Sequence, residues 1–221
     1  MPDKPLRIAI TDAVSISAVR TPAKDARWTF IYAPGAGSNI HDPFGTYAAK
    51  ALASRGITTV RFQFPYMEAG KSGPDRPPVL EATWRAVIDA VRDPKTRTVV
   101  GGRSMGGRIG SMVAASPESS AAVDAVALFA YPLHPPGKPE QLRIAHFATL
   151  NAPTLFVSGT NDAFATPDEL RAAAKPLKKP KLHFLDRADH GFAVPKSSGR
   201  AREDVWGEAV DVFVDWLLSL G

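Results

Sequence analysis

The sequence predicts an α/β fold, a mostly parallel, doubly wound sheet with helices on both faces. Three observations predict it. Short runs of β-branched and aromatic residues alternate with stretches at helical spacing along most of the chain. Gly, Pro and Asp punctuate the boundaries between them. One predicted strand also runs straight into a helix through Gly102-Arg103-Ser104-Met105-Gly106.

The elements follow in order. Residues 7–20 alternate apolar and polar side chains, which predicts one or two antiparallel edge strands. Residues 28–32 form an apolar run that ends in the turn Pro34-Gly35-Ala36-Gly37. Asp42 then reads as an N-cap with Pro43 at the first helical position, and the helix should run to about Ser54 and stop at Gly56. Residues 58–64 read as the next buried strand. The Gly- and Pro-rich stretch 65–78 reads as an irregular loop. Residues 79–91 place Leu80, Trp84, Val87 and Val91 on one helical face. A strand at 98–102 and a helix at 105–115 follow. Strands are expected at 125–131, 154–158 and 182–185, a short helix at 167–174, and an amphipathic helix at 205–220. Residues 133–152 fit either a small flap or one helix.

The bulk properties bound the function. One domain spanning residues 1–221 is expected, since 221 residues with 44% hydrophobic side chains suffice for a sizeable core. There are no cysteines, which excludes disulfides, thiolate zinc sites and a cysteine nucleophile. That fits a reducing compartment, and no apolar h-region follows Met1, so a cytoplasmic location is expected. No stretch of 18 apolar residues exists, so no membrane partner is expected. The net charge is +5. Its tightest group, Lys175, Lys178, Lys179 and Lys181, lies in a Pro-punctuated connector, and no nucleic-acid motif accompanies it, so nucleic-acid binding is not expected.

Gly102–Gly106 matches G-x-S-x-G, and its context gives the match weight. A strand directly before it and a helix directly after it make the nucleophile elbow, in which small residues two positions away let a strained serine stand clear of the sheet. The competing reading, a Gly-rich phosphate loop, lacks the Lys-Ser/Thr ending of such loops. A serine hydroxyl needs a base within hydrogen-bond reach. Of the five histidines, His190 in Asp189-His190-Gly191-Phe192 follows the last predicted strand, where this arrangement places its base. His183 falls within that strand and His41 precedes a helix. Asp162, after the strand at 154–158, is the expected carboxylate, giving the chain order Ser, Asp, His. Asp186 and Asp189 compete, but both lie too near His190 in sequence to reach its far nitrogen easily. Two backbone donors are needed for a developing oxyanion. Met105, the residue after the serine, supplies one, and Ala36 in the turn after the first buried strand is expected to supply the other.

Over nearly its full length the chain resembles the α/β-hydrolase superfamily, with little or no cap domain. More narrowly it is similar to the small group related to dienelactone hydrolases that includes a testis-expressed mammalian protein. That likeness is carried by Ala33-Pro34-Gly35-Ala36-Gly37, Arg61-Phe62-Gln63-Phe64-Pro65-Tyr66, Gly101-Gly102-Arg103-Ser104-Met105-Gly106-Gly107-Arg108 and Tyr131-Pro132-Leu133-His134-Pro135-Pro136. The resemblance implies the same triad. Pro34 departs from the His-Gly common elsewhere in the superfamily, and the absence of cysteine departs from dienelactone hydrolases proper. The expectation is a serine hydrolase of a small acyl substrate with no cofactor and no metal. A non-catalytic binding module on the same fold, or an acyltransferase using the same triad, are the alternatives. Nothing in the sequence fixes the oligomeric state.

Overall fold

A computed structural model describes residues 2–119 and 122–221. Strands β1 (Lys4–Thr11) and β2 (Val14–Thr21) form an antiparallel hairpin at one edge. The chain then continues as β3 (Trp28–Ala33), α1 (Pro43–Ala53), β4 (Ile57–Phe62), α2 (Pro65–Glu68), α3 (Pro77–Val91), β5 (Arg97–Arg103) and α4 (Met105–Ala114). It closes with β6 (Ala125–Phe129), β7 (Thr154–Gly159), α5 (Pro167–Ala173), β8 (Pro180–Leu185) and α6 (Arg202–Ser219). The sheet order is β1-β2-β4-β3-β5-β6-β7-β8, and every pairing from β4 to β8 is parallel.

The period of two along β3 explains the layers. Phe30 and Tyr32 point into one core with Phe44, Phe129, Trp206 and Phe213, beneath α1 and α6. Ile31 and Ala33 point into the other with Phe62, Trp84, Val100 and Ile109, beneath α3 and α4. All six β3 residues are buried, as a central parallel strand requires. Each fully buried large side chain contributes roughly 1.5–3 kcal/mol relative to exposure. Local signals set the helix starts. The Asp42 carboxylate accepts from the Gly45 N–H at 2.7 Å, with Pro43 at the first position of α1. Thr166 and Glu169 form a capping box at α5.

The structure departs from expectation in the prolyl segments. The stretch 65–78 is not wholly irregular. Pro65 opens the single turn α2 and Pro77 opens α3, because proline's fixed φ suits a first helical turn that lacks donors anyway. The α2 turn is fastened to the edge strand by Glu68, which accepts from the backbone N–H and hydroxyl of Ser17 at 3.0 and 2.9 Å. Residues 133–152 are not one helix. They run irregularly and contain only the 3₁₀ turn Ala145–Ala148, since Pro135, Pro136 and Pro139 remove the donors a longer helix needs. The last strand begins at Pro180 and the last helix at Arg202, each a few residues earlier than the hydrophobic pattern suggests. The lysine group after α5 is solvent-exposed.

His146 of that 3₁₀ turn is half-buried against Phe147, and its Nε2 lies 2.8 Å from Ser111 Oγ. Ser111 Oγ donates to the Arg108 carbonyl, so it accepts from a neutral His146. Burial, reinforced by the Arg108 charge, pushes the His146 pKa down to about 4. The unfolded chain therefore binds a proton below about pH 6.5 that the folded chain refuses until about pH 4. Stability should fall across that window by about 2–3 kcal/mol, then level. Urea midpoints between pH 7 and pH 4.5 check this, and His146→Gln should flatten the slope.

Candidate active site

The site begins at the C-terminal end of β5. Ser104 stands between β5 and α4 at φ 50° and ψ −123°, a conformation that L-residues rarely hold. The Ser104 N–H donates to the Phe129 carbonyl at 2.9 Å, which ties the turn to β6. The flanking glycines are required by backbone proximity. A Cβ on Gly102 would lie 2.1 Å from the Ala33 carbonyl oxygen, and one on Gly106 would lie 2.4 Å from the carbonyl oxygens of Ala33 and Pro34. Helix α4 is thus pressed onto the end of β3, and Ser104 is lifted clear of the sheet.

His190 Nε2 is 2.9 Å from Ser104 Oγ. Its Nδ1 lies 2.8 and 2.9 Å from the two oxygens of Asp162, whose side chain is fully buried. An ionised carboxylate only accepts, so Nδ1 carries the proton and the Nε2 lone pair faces the serine hydroxyl. Two loops bring these groups together. The Asn161 N–H donates to the Ala188 carbonyl at 2.9 Å, and the Thr160 N–H to the Leu185 carbonyl at 3.0 Å. A Cβ on Gly159 would lie 2.0 Å from the Ala188 oxygen, so only glycine allows that approach. Asp162 also accepts from the Phe164 N–H at 2.8 Å, and the Phe164 ring stacks on the His190 imidazole with centroids 4.1 Å apart.

The competing carboxylates sit elsewhere. Asp189 Oδ1 accepts from the Gly191 and Ala193 N–H groups at 2.7 and 2.8 Å and shapes the histidine loop. Asp186 is exposed and makes no ion pair among the described residues. His183 Nε2 meets Glu208 Oε1 at 2.6 Å, on the α6 side of the sheet. His41 is exposed in the turn before α1, where its backbone N–H donates to Asn39 Oδ1. His134 bonds to Glu169 and to the Pro135 carbonyl.

Ala36 and Met105 both line a cavity of about 440 Å³ with Ser104 and His190. Met105 is the first residue of α4, so its N–H has no intrahelical acceptor. The Ala36 N–H has no acceptor among the described residues. Sequence reasoning misses most of what else surrounds the serine. Arg103 Nη2 donates to the His190 carbonyl at 3.2 Å, and its Nη1 lies 3.7 Å from Asp42. Asp42 in turn accepts from the Tyr32 hydroxyl at 2.6 Å, and that phenol's pKa lies far above its usual value because of burial first and the Asp42 charge second. Arg103 and Arg108 were visible within the glycine-rich motif, but the cavity-lining Phe164 and Arg143 carry no sequence signal. A larger cavity of about 650 Å³ lies at the opposite ends of the strands, around Trp28 and Arg97. Arg97 there stacks over Trp28 and donates to the Leu220 and Gly221 carbonyls, and none of the residues around Ser104 line it.

Residues 26–218 match the alpha/beta hydrolase domain family. The chain belongs to that family. Its fold is similar to that of a dienelactone hydrolase from Anabaena variabilis, at 18% identity and TM-score 0.77, covering 99% of this chain and 97% of that one. It is also similar to an α/β serine hydrolase without lid from Xanthomonas campestris, at 21% identity and TM-score 0.72, covering 98% and 96%. A third is Est1E from Butyrivibrio proteoclasticus, at 14% identity and TM-score 0.76, covering 97% and 99%. These likenesses show the α/β-hydrolase fold without a large cap, and family and fold together support a hydrolase.

The glycine contacts yield a direct test of the elbow. Gly106→Ala should lower stability by about 2–3 kcal/mol, because the added carbon meets two fixed carbonyls. Gly73→Ala, where a Cβ meets nothing within 4 Å, should stay within about 0.5 kcal/mol. Urea denaturation followed by tryptophan fluorescence measures both.

Proposed function

We propose that this α/β hydrolase is a serine hydrolase that cleaves an ester, thioester or related acyl bond of a small substrate. One observation carries the reading. A strained serine, an imidazole and a buried carboxylate form an unbroken hydrogen-bonded line at 2.9 and 2.8 Å, open to a cavity.

The steps follow from the geometry. Ser104 Oγ attacks the carbonyl carbon while its proton passes to His190 Nε2. Asp162 holds the ring and stabilises the imidazolium without taking its proton. The N–H groups of Ala36 and Met105 face the oxygen on which negative charge develops. His190 then gives its proton to the leaving alcohol or thiol, and the acyl group stays on Ser104. Water attacks that acyl-enzyme with His190 as base, releasing the acid and restoring the serine. In this reading the chemistry uses only these side chains and backbone groups. The alternative, a binding module with idle residues, gives no reason for an imidazole and a buried carboxylate aligned on the serine hydroxyl.

Ser104→Ala should lower kcat on 4-nitrophenyl acetate by roughly 10³-fold or more, with the fold retained. Asp162→Asn should cost on the order of 10³–10⁴-fold, by leaving the imidazole wrongly oriented. A fluorophosphonate probe should label the wild type and not Ser104→Ala. Wild-type labelling that survives Ser104→Ala, with most of the esterase activity, would assign the nucleophile elsewhere.

The cavity also sets an expectation for chain length. Ser38, Asp42, Arg103, Arg108 and Arg143 edge it, and no helix of the 133–152 segment covers it. A methylene contributes about 0.8 kcal/mol only when it is buried. kcat/KM should therefore peak at short acyl chains in a series from aryl acetate and butyrate to octanoate and palmitate. A steady climb to palmitate would reveal a deep apolar pocket and sink this expectation.

A further inference from the structure

Three guanidiniums line the cavity beside Ser104, and they are not equivalent. Arg103 is engaged with the His190 carbonyl and Asp42. Arg108 and Arg143 have no carboxylate within ion-pair distance among the described residues. Among the described residues Arg108 Nη1 has one hydrogen-bond contact, with Met112 Sδ at 3.4 Å, and its buried Nε has no acceptor. Glu81, the carboxylate whose charge bears on Arg108, is paired with Arg85 at 3.2 Å. Among the described residues Arg143 Nη1 donates only to the Pro132 carbonyl, at 3.4 Å. Asp42, the one carboxylate lining the cavity, already accepts from the Tyr32 hydroxyl and the Gly45 N–H and faces Arg103.

The fold holds these two cations in place. Arg108 lies four residues after Ser104, one turn along α4, and therefore on the same helix face. Arg143 belongs to the irregular 133–152 segment, but its backbone is pinned on both sides. Its N–H donates to the Leu133 carbonyl at 2.8 Å, and its carbonyl accepts from the buried Tyr131 hydroxyl at 2.5 Å. Burial, and then the nearby Arg143 charge, lower the basicity of Arg108. Two half-buried like charges without a carboxylate partner among the described residues are costly unless an anion completes them. Arginine's planar fork is also the side chain best matched to carboxylate and phosphate oxygens.

We propose that the substrate carries an oxyanion group, a carboxylate or a phosphate, which Arg108 and Arg143 seat while its acyl carbon meets Ser104. The proposal rests on Ser104 being the nucleophile and narrows that reading to one substrate class. Neutral esters still fit the site but lack the group that completes it.

The test compares matched pairs by kcat/KM. The 4-nitrophenyl monoester of adipic acid is set against 4-nitrophenyl hexanoate, which places a carboxylate on the acyl side. 4-Acetoxybenzoate is set against its methyl ester, which places a carboxylate on the alcohol side. 4-Acetoxyphenyl phosphate is set against 4-acetoxyanisole. At least one pair should favour the anion about 10–100-fold, as charge-assisted hydrogen bonds allow, and the advantage should shrink with added salt. The anion-to-neutral ratio should collapse in Arg108→Gln and in Arg143→Gln and fall below one in Arg143→Glu. The ratio is read within each variant, so a general loss of activity cancels. Wild-type ratios at or below one in all three pairs overturn the proposal, as does a ratio that both variants leave unchanged. In those cases neutral-ester turnover with Ser104 labelled leaves the serine-hydrolase reading standing. Failure of every ester, with no fluorophosphonate labelling, overturns both.

Discussion

The structure depends on one backbone-on-backbone contact, where Gly102 and Gly106 meet the Ala33 and Pro34 carbonyls. Central strands in a parallel sheet lie less than 5 Å apart. A helix that leaves one strand and crosses its neighbour's end must shed its Cβ atoms at the crossing. Only then can Ser104 hold its positive φ and stand above the sheet. The same approach places the loop after β3 alongside the first turn of α4. A Cβ on Gly35 would come within 3.4 Å of the Ser104 Cβ. One steric constraint thus sets the serine and the loop after β3 at once, before any side-chain hydrogen bond is counted.

Around that contact a polar network joins loops from separate strands. Asp42 caps α1, accepts from Tyr32 on β3 and faces Arg103 on β5. Arg103 reaches across to the histidine loop. Burying such groups is costly unless each finds a partner, and here each does. Cap, elbow and histidine loop are therefore held by one set of shared charges. Arg108 and Arg143 stand outside that set, which separates them from the scaffold.

The fold and the meeting of Ser104, His190 and Asp162 were legible in the sequence because each has a local signature. Alternating periods show the strands and helices, and the elbow shows itself as glycines at fixed offsets between a strand and a helix. His190 and Asp162 follow from chain order and from their places after strands. The irregular parts were less legible. Pro65 and Pro77 read as breakers, but each starts a helix, because the same fixed φ serves both ends of the choice. The 133–152 segment could not be assigned because its shape is set by distant partners, such as Tyr131 with Arg143, and not by neighbours in sequence. Phe164, stacked on the imidazole, is likewise an accident of tertiary placement that no spacing announces.

The placement of the histidine and aspartate has a consequence for how the protein fails under stress. The elbow lies between β3, β5 and β6, deep in the sheet, whereas Asp162 and His190 hang from β7 and β8 at its margin. β8 pairs on one side only, and five of its six residues are not fully buried. Proteins open first where buried contacts are fewest. Fraying of that margin detaches the imidazole from the serine while the rest of the sheet stays folded. Inactivation by heat or urea is thus expected to run ahead of global unfolding, and its threshold to be set by the grip of α6 on the outermost strand.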